Sequence, residues 1–209
     1  MKNLFLLIIA FSLLSSCNFI EDKKRDLTTS ATEKILEKIS GASDVEFTDV
    51  NNLDKNNTIV DIQVNGKNLK NDFKNAFGSI TASKETIAIT ISKENDGSSF
   101  NIIMGFTEKD LTASKPIKGD IQSTDSDKIS FQFSISSFGE NKMDSKLSQE
   151  GKGEIIKLTD KEVIIKVSGK IFSQENYDNP EKWENYSGTI IMQYPVYNSM
   201  GISKDDLNY

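Results

Sequence analysis

The sequence predicts a mainly β domain: an antiparallel meander closed as a barrel or folded as a sandwich, with an N-terminal helix and a second short helix. Two observations support this. From position 60 onward, apolar residues alternate with polar ones at a period of two, the pattern of strands with one buried and one solvated face. The alternating segments are short and evenly spaced, and the whole chain holds only 3 prolines.

The strands and their connections follow from the same alternation. Residues 44–50 add an early strand, so that eight or nine strands are expected. Asp96-Gly97 is typical of a hairpin turn, with residues 93–98 as a loose loop, and residues 158–163 read as a second tight connection. The alternating segments are 60–64, 87–91, 100–106, 131–135, 156–158, 163–167 and 190–194.

Two segments have the spacing of a helix instead. The first helix is predicted over residues 31–40, where Ser30 and Glu33 form a capping box before an apolar stripe that ends at Gly41. The second is predicted between strands, because apolar residues recur every three to four positions after Asn68, a possible N-cap. The apolar residues of the two helices are Ile35, Leu36 and Ile39, then Leu69, Phe73, Ala76 and Phe77.

The N-terminus has the layout of a secretory signal peptide. Lys2 precedes an apolar run over residues 4–14, and two small residues and the chain's single cysteine, Cys17, follow. Eleven helical residues would cover about 16 Å, whereas the hydrocarbon core of a bilayer is about 30 Å thick. Cleavage is therefore expected rather than a membrane span.

The ending Leu14-Ser15-Ser16-Cys17 resembles the lipobox of bacterial lipoproteins. The resemblance implies cleavage before Cys17 and acylation of its thiol, for instance by palmitate, and of the new amine. Residues 1–16 would be the signal peptide, 17–29 the lipidated cysteine and a polar tether, and 30–209 one β-rich domain. The protein would lie in the bacterial cell envelope, attached to a membrane through its acyl chains. In a Gram-negative cell the outer membrane is favoured over the inner.

Composition excludes several classes of function. The net charge of −6 argues against nucleic acid as a partner, because nucleic-acid binding depends on basic surfaces. The chain has no histidine, and its only cysteine is the predicted lipidation site. Catalytic triads and most zinc, copper or haem sites are thereby excluded. No phosphate-binding glycine loop is present, so the sequence predicts no cofactor and no metal.

The segment around the only tryptophan is the candidate site. Asn179 before Pro180 predicts one helical turn there. The surrounding side chains could form a stacking platform for a ligand or a contact surface for a protein partner. Alternatively, the tryptophan closes an open end of the β-structure and the tyrosines surround it. The candidate residues are Trp183, Tyr177, Tyr186, Glu181 and Glu184.

Acidic clusters give weaker candidates. Asp120, Asp125 and Asp127 lack the spacing and the glycine of a calcium loop, so a solvated acidic loop is the preferred interpretation.

The sequence therefore predicts a non-catalytic envelope lipoprotein that binds a protein partner or a small ligand. One alternative is a carboxylate-dependent hydrolase of envelope glycans, with Glu181 and Glu184 as one possible pair. Another is an inhibitor or immunity-type lipoprotein whose acidic face meets a basic partner.

Overall fold

The structure is a computed structural model that describes residues 45–47, 50–95, 98–121, 128–139 and 142–209. The signal peptide, Cys17, the tether and the helix predicted at 31–40 lie outside these residues. Within them the chain is mainly β, and twelve strands form a single mixed sheet. The strands are β1 (Val45–Phe47), β2 (Asn57–Val64), β3 (Lys67–Asn68), β4 (Phe77–Ser83), β5 (Thr86–Asn95), β6 (Ser98–Thr107), β7 (Lys118–Ile121), β8 (Ile129–Gly139), β9 (Lys142–Leu158), β10 (Glu162–Ser173), β11 (Glu184–Gln193) and β12 (Val196–Met200).

The strand order across the sheet is β1-β12-β4-β5-β6-β8-β7-β9-β10-β11-β2-β3, and β8 also pairs directly with β9. The runs β4 to β6 and β9 to β11 form antiparallel meanders, as the alternation predicts. Two pairs are parallel, β12 with β4 and β7 with β8, and these differ from the all-antiparallel expectation. In the β5–β6 hairpin the ladder runs to Asn95 and Ser98, so residues 93–95 are strand rather than loose loop.

The sheet curls around one core, but its described strands do not close into a barrel, nor do they form the two sheets of a sandwich. β1 and β3 lie at its edges, and an isolated bridge joins Thr58 of β2 to Ala76, the residue before β4. Beside that bridge the Asn56 side chain donates to the Gly78 carbonyl at 2.7 Å and accepts from the Gly78 amide at 2.9 Å. In the connection after β3, the Leu69 amide donates to the Ile62 carbonyl at 2.9 Å, which gives this carbonyl of β2 a partner.

The inner face of the curled sheet holds the core. Phe133 on β8 and Tyr186 on β11 stack at 4.5 Å between ring centroids, although β7, β9 and β10 separate the two strands in the sheet. Such a contact is possible only because the sheet wraps around its interior. The predicted inward residues of five strands are buried there: Val60, Ile62 and Val64; Ile87, Ile89 and Ile91; Ile102, Met104 and Phe106; Phe131 and Phe133; Val163, Ile165 and Val167.

The helix predicted after Asn68 is wrong. Residues 70–75 form turns, and the only contact of α-helical spacing there is the Phe73 amide with the Leu69 carbonyl at 3.1 Å. Asn75 has a φ of 59°, a left-handed value that ends a right-handed helix. One helical turn alone does not offset the cost of helix nucleation. Leu69, Phe73 and Ala76 are nevertheless buried, so the apolar spacing marks the inner side of a turn.

The pattern at 156–158 also differs from expectation. Ile155 and Leu158 are buried, whereas Ile156 is exposed. The β9–β10 ladder shifts register between Ile164 and Ile165, and this β-bulge rotates the intervening residue of β9 to the outer face. Beyond the sheet, the described residues include 3₁₀ segments at Val50–Lys55, Gln174–Asn176 and Pro180–Lys182 and a single α-helix, α1 (Lys204–Leu207).

Candidate functional site

The candidate site is built on the segment that follows β10. Residues 173–183 fold back through two 3₁₀ turns, Gln174–Asn176 and Pro180–Lys182, before β11 begins. The turn predicted at Pro180 is confirmed, although the Asn179 side chain makes no capping hydrogen bond. The Trp183 indole Nε1 donates to the Asn176 carbonyl at 3.0 Å. This bond joins the two turns and fixes the orientation of the indole.

Phe172 on β10 is the centre of the site. Its neighbour Ile171 is fully buried in the core, so Phe172 belongs to the opposite, outer face of the strand. Trp183 stacks on it at 5.4 Å and 29°, and Tyr177 packs against it at 5.5 Å and 59°. These two rings leave Phe172 only 5% exposed, while Tyr177 itself is 55% exposed. The segment after β10 thus forms an aromatic cluster with an open surface.

Aliphatic side chains of β9 extend this cluster. Leu147 lies directly opposite Phe172 in the ladder and is 43% exposed. Met143 lies four residues earlier on the same face and is 60% exposed. We call the five residues Met143, Leu147, Phe172, Tyr177 and Trp183 the Phe172 patch. Large exposed apolar patches mark interaction surfaces in soluble proteins.

The segment that carries the tyrosine and the tryptophan is also acidic. Glu175, Asp178 and Glu181 are exposed, and Lys182 is the only basic residue among positions 174–183. None of the three carboxylates has an ion pair with another described residue. The Phe172 patch therefore lies beside carboxylates that remain available to a cationic partner.

Tyr186 does not belong to this patch, contrary to the expectation from its nearness in sequence. It is buried on the inner face of β11, stacks on Phe133, and accepts a hydrogen bond from Ser148 Oγ at 2.9 Å. Burial raises the pKa of Tyr186 to about 12. Ser148 Oγ also lies within hydrogen-bond distance of the Glu150 carbonyl, at 3.1 Å, and of the Lys170 carbonyl, at 3.0 Å.

Glu184 is likewise separated from the patch. Its register partner is the buried Ile171, which places Glu184 at the inner face, where its carboxylate pairs with Lys146 Nζ at 2.5 Å. Glu181 stays exposed on the turn, so the structure gives the two glutamates different surroundings. Two other glutamates, both on β9, are paired with lysines: Glu150 with Lys170 at 3.2 Å and Glu154 with Lys118 at 2.8 Å.

Asp120, from the acidic cluster, has Lys152 Nζ at 3.9 Å. Asp125 and Asp127 lie outside the described residues. Within the described residues, no group of three or more aspartate, glutamate, cysteine or histidine side chains could hold a metal ion. No helix in the described part of the chain is both long enough and apolar enough to cross a membrane.

Comparison with known proteins gives no family. No protein-family profile, no curated protein and no solved structure matches this chain.

Two buried phenols give a prediction for alkaline pH. Burial raises the pKa of Tyr186 and of Tyr197 to about 12, with the charge of Asp206 adding to the effect at Tyr197. An unfolded tyrosine titrates near pH 10. Between about pH 10 and pH 12 the unfolded chain releases protons that the folded chain retains, so stability falls across this range and is unaffected by these groups below it.

Tyrosinate absorbance measured against pH checks this prediction. Of the 5 tyrosines in the chain, Tyr186 and Tyr197 should ionise only near pH 12 or on unfolding. Burial also raises the pKa of Tyr209. Tyr186→Phe should remove one of the two groups that titrate near pH 12 and leave that of Tyr197. A titration in which all five phenols ionise together near pH 10 in the folded protein would contradict it.

Proposed function

We propose that this chain is a non-catalytic binding protein of the bacterial cell envelope, anchored to a membrane by acyl chains on Cys17. Its β-rich domain binds a protein partner through the Phe172 patch. The observation that supports the proposal is the exposure of Met143, Leu147 and Tyr177 around a packed pair of aromatic rings. Tryptophan and tyrosine side chains near the centre of an interface are among those that contribute most to protein–protein binding energy.

Packing of the interior favours a surface site over an internal ligand cavity. Phe131 is fully buried between Phe106, at 4.9 Å, and Phe133, at 6.5 Å. Phe133 in turn stacks on Tyr186 from the far side of the curled sheet. These rings fill the middle of the described core, where a carrier of apolar ligands would need open space.

Charge indicates the chemistry of the partner. The exposed carboxylates Glu175, Asp178 and Glu181 lie on the same segment as Tyr177 and Trp183. The matching surface would present an apolar centre with lysine or arginine side chains around it. An arginine could also stack on the exposed Tyr177 ring. A basic partner of this kind is what an inhibitor or immunity-type lipoprotein would bind.

Photocrosslinking tests the proposal in the full acylated protein in its native membranes. A photoreactive amino acid at Tyr177 should give one stoichiometric protein adduct, while the same amino acid at exposed Lys161, on the β9–β10 turn, should not. Adding Trp183→Ala should reduce partner affinity by about 30-fold or more, the size expected for a central aromatic contact. Raised ionic strength should weaken the adduct, because the carboxylates are exposed.

Two other outcomes would count against the proposal. Equal adducts from positions 177 and 161 would indicate nonspecific contact, and the absence of any adduct at 177 would remove the Phe172 patch as a docking surface. The anchor is tested separately by Cys17→Ala, which should abolish acylation and release the protein from the membrane fraction. If Cys17→Ala stays fully membrane-bound, the lipoprotein part of the proposal is wrong.

A further inference from the structure

We propose that the outer face of β9, β10 and β11 carries a second site, which binds a small acidic saccharide: a sugar bearing a carboxylate or phosphate group. This site lies away from the Phe172 patch and does not depend on the function proposed for it. It is an open groove of about 350 Å³, which is at the lower end of the range for ligand pockets. Its lining residues are Lys152, Glu154, Lys166, Val167, Ser168, Gly188 and Thr189.

The register of the strands explains why a groove forms there. Lys166 on β10 lies between Glu154 on β9 and Thr189 on β11, and Ser168 lies opposite Lys152. The short side chains of Ser168 and Thr189 are thus next to the long ones of β9 and to Lys166. Because all of them project from one face of the sheet, the difference in length leaves a depression with hydroxyl groups inside and charged groups along its sides.

The cations of the groove are incompletely neutralised. Lys166 has no ion pair with any described residue. The side chain of Lys152 is 79% exposed, and its nearest carboxylate, that of Asp120, is at 3.9 Å. Glu154 lies opposite Lys166 in the β9–β10 register, but its single negative charge is shared with Lys118, whose Nζ lies 2.8 Å from Oε1. The groove therefore presents two ammonium groups to solvent in a chain whose net charge is −6.

The arrangement of donors and acceptors fits a sugar acid better than a bare anion. The two ammonium groups would bind the oxygen atoms of a carboxylate or phosphate. The hydroxyls of Ser168 and Thr189, for which the described contacts include no intramolecular hydrogen bond, would donate to or accept from ring hydroxyls. Glu154 Oε2 lies beside the oxygen used by Lys118 and offers an acceptor for a sugar hydroxyl.

Calorimetric titration of the full chain with four probes tests this site. Glucuronate and glucose 6-phosphate should bind, and glucose and inorganic phosphate should each bind at least about 10-fold more weakly. Lys166→Gln should weaken glucuronate binding by about 10-fold, because it removes the uncompensated cation. Lys161→Gln is the matched control: it removes the same charge from an exposed lysine outside the groove and should change the affinity less than about 2-fold.

Several results would overturn the proposal. Glucose binding as tightly as glucuronate would exclude a role for the lysines, and equal effects of Lys166→Gln and Lys161→Gln would indicate only general charge. Inorganic phosphate binding as tightly as glucose 6-phosphate would show an anion site with no saccharide recognition. The proposal also fails if neither acidic sugar binds by calorimetry and by ligand-observed NMR. Unchanged thermal unfolding of Lys166→Gln would establish that its effect is local.

Discussion

Gly169→Ala is expected to lower the free energy of unfolding by about 4 kcal/mol or more, among the largest effects of any single methyl group in this fold. A Cβ on Gly169 would lie 2.0 Å from the Glu150 carbonyl oxygen and 2.6 Å from the Gly151 Cα. Both are backbone atoms of the paired strand, so no side-chain rotation can relieve the overlap. The φ of Gly169, +158°, also falls in a region that residues with a Cβ rarely adopt.

Urea unfolding followed by the fluorescence of Trp183, the chain's only tryptophan, measures this effect. Gly105→Ala is the control, because a Cβ there would find its nearest atom, the Gln132 Cβ, at an ordinary 4.0 Å. That variant should change stability by less than about 1 kcal/mol. Similar midpoints for the two variants would mean that the close approach of β9 and β10 does not hold in solution.

The pairing of Gly169 with Gly151 is a feature that the sequence alone does not predict. Gly169 and Gly151 face each other across the β9–β10 ladder, where the hydroxyl of Tyr186 lies 2.7 Å from the point that a Cβ of Gly151 would occupy. Nothing in the local spacing of either glycine identifies its partner on the neighbouring strand. Period-two alternation predicts which residues face the core, because that depends on one strand alone.

Strand pairing depends on long-range contacts, and there the sequence was less informative. The insertion of β7 between β8 and β9 and the parallel pairing of β12 with β4 have no local signal. The first half of β9 was not predicted, because residues 142–150 are mostly polar or charged and their few apolar side chains face outward. A strand of this kind lacks the alternation of a buried face.

The candidate site was partly predictable for a related reason. Trp183 and Tyr177 do share one cluster, but Tyr186 shares its parity with Ile190 and Met192, two residues that the alternation assigns to the core. The even-numbered alternation of this strand therefore predicts that Tyr186 faces the core. Phe172 also had a signal, since an apolar residue directly after the inward Ile171 must face outward on a regular strand.

Phe131→Ala is the second large expected effect, a loss of about 3–5 kcal/mol in the free energy of unfolding. The ring is fully buried, packs against Phe106 and Phe133, and lies directly over Gly153. Its removal leaves a cavity that the neighbouring strands can fill only in part. Phe77→Ala, at an exposed phenylalanine on β4, is the control and should cost less than about 1 kcal/mol.

The contact with Gly153 makes this prediction more specific. A Cβ on Gly153 would lie 2.4 Å from the Phe131 ring, and the ring cannot move aside because its other neighbours enclose it. Gly153→Ala alone should therefore cost about 1–3 kcal/mol through overpacking. In the Phe131→Ala background the added methyl group enters the cavity, so the double variant should be more stable than the two single effects predict, by about 1 kcal/mol or more. Additive effects in this double-mutant cycle would mean that Gly153 is required for backbone conformation rather than for the space that Phe131 occupies.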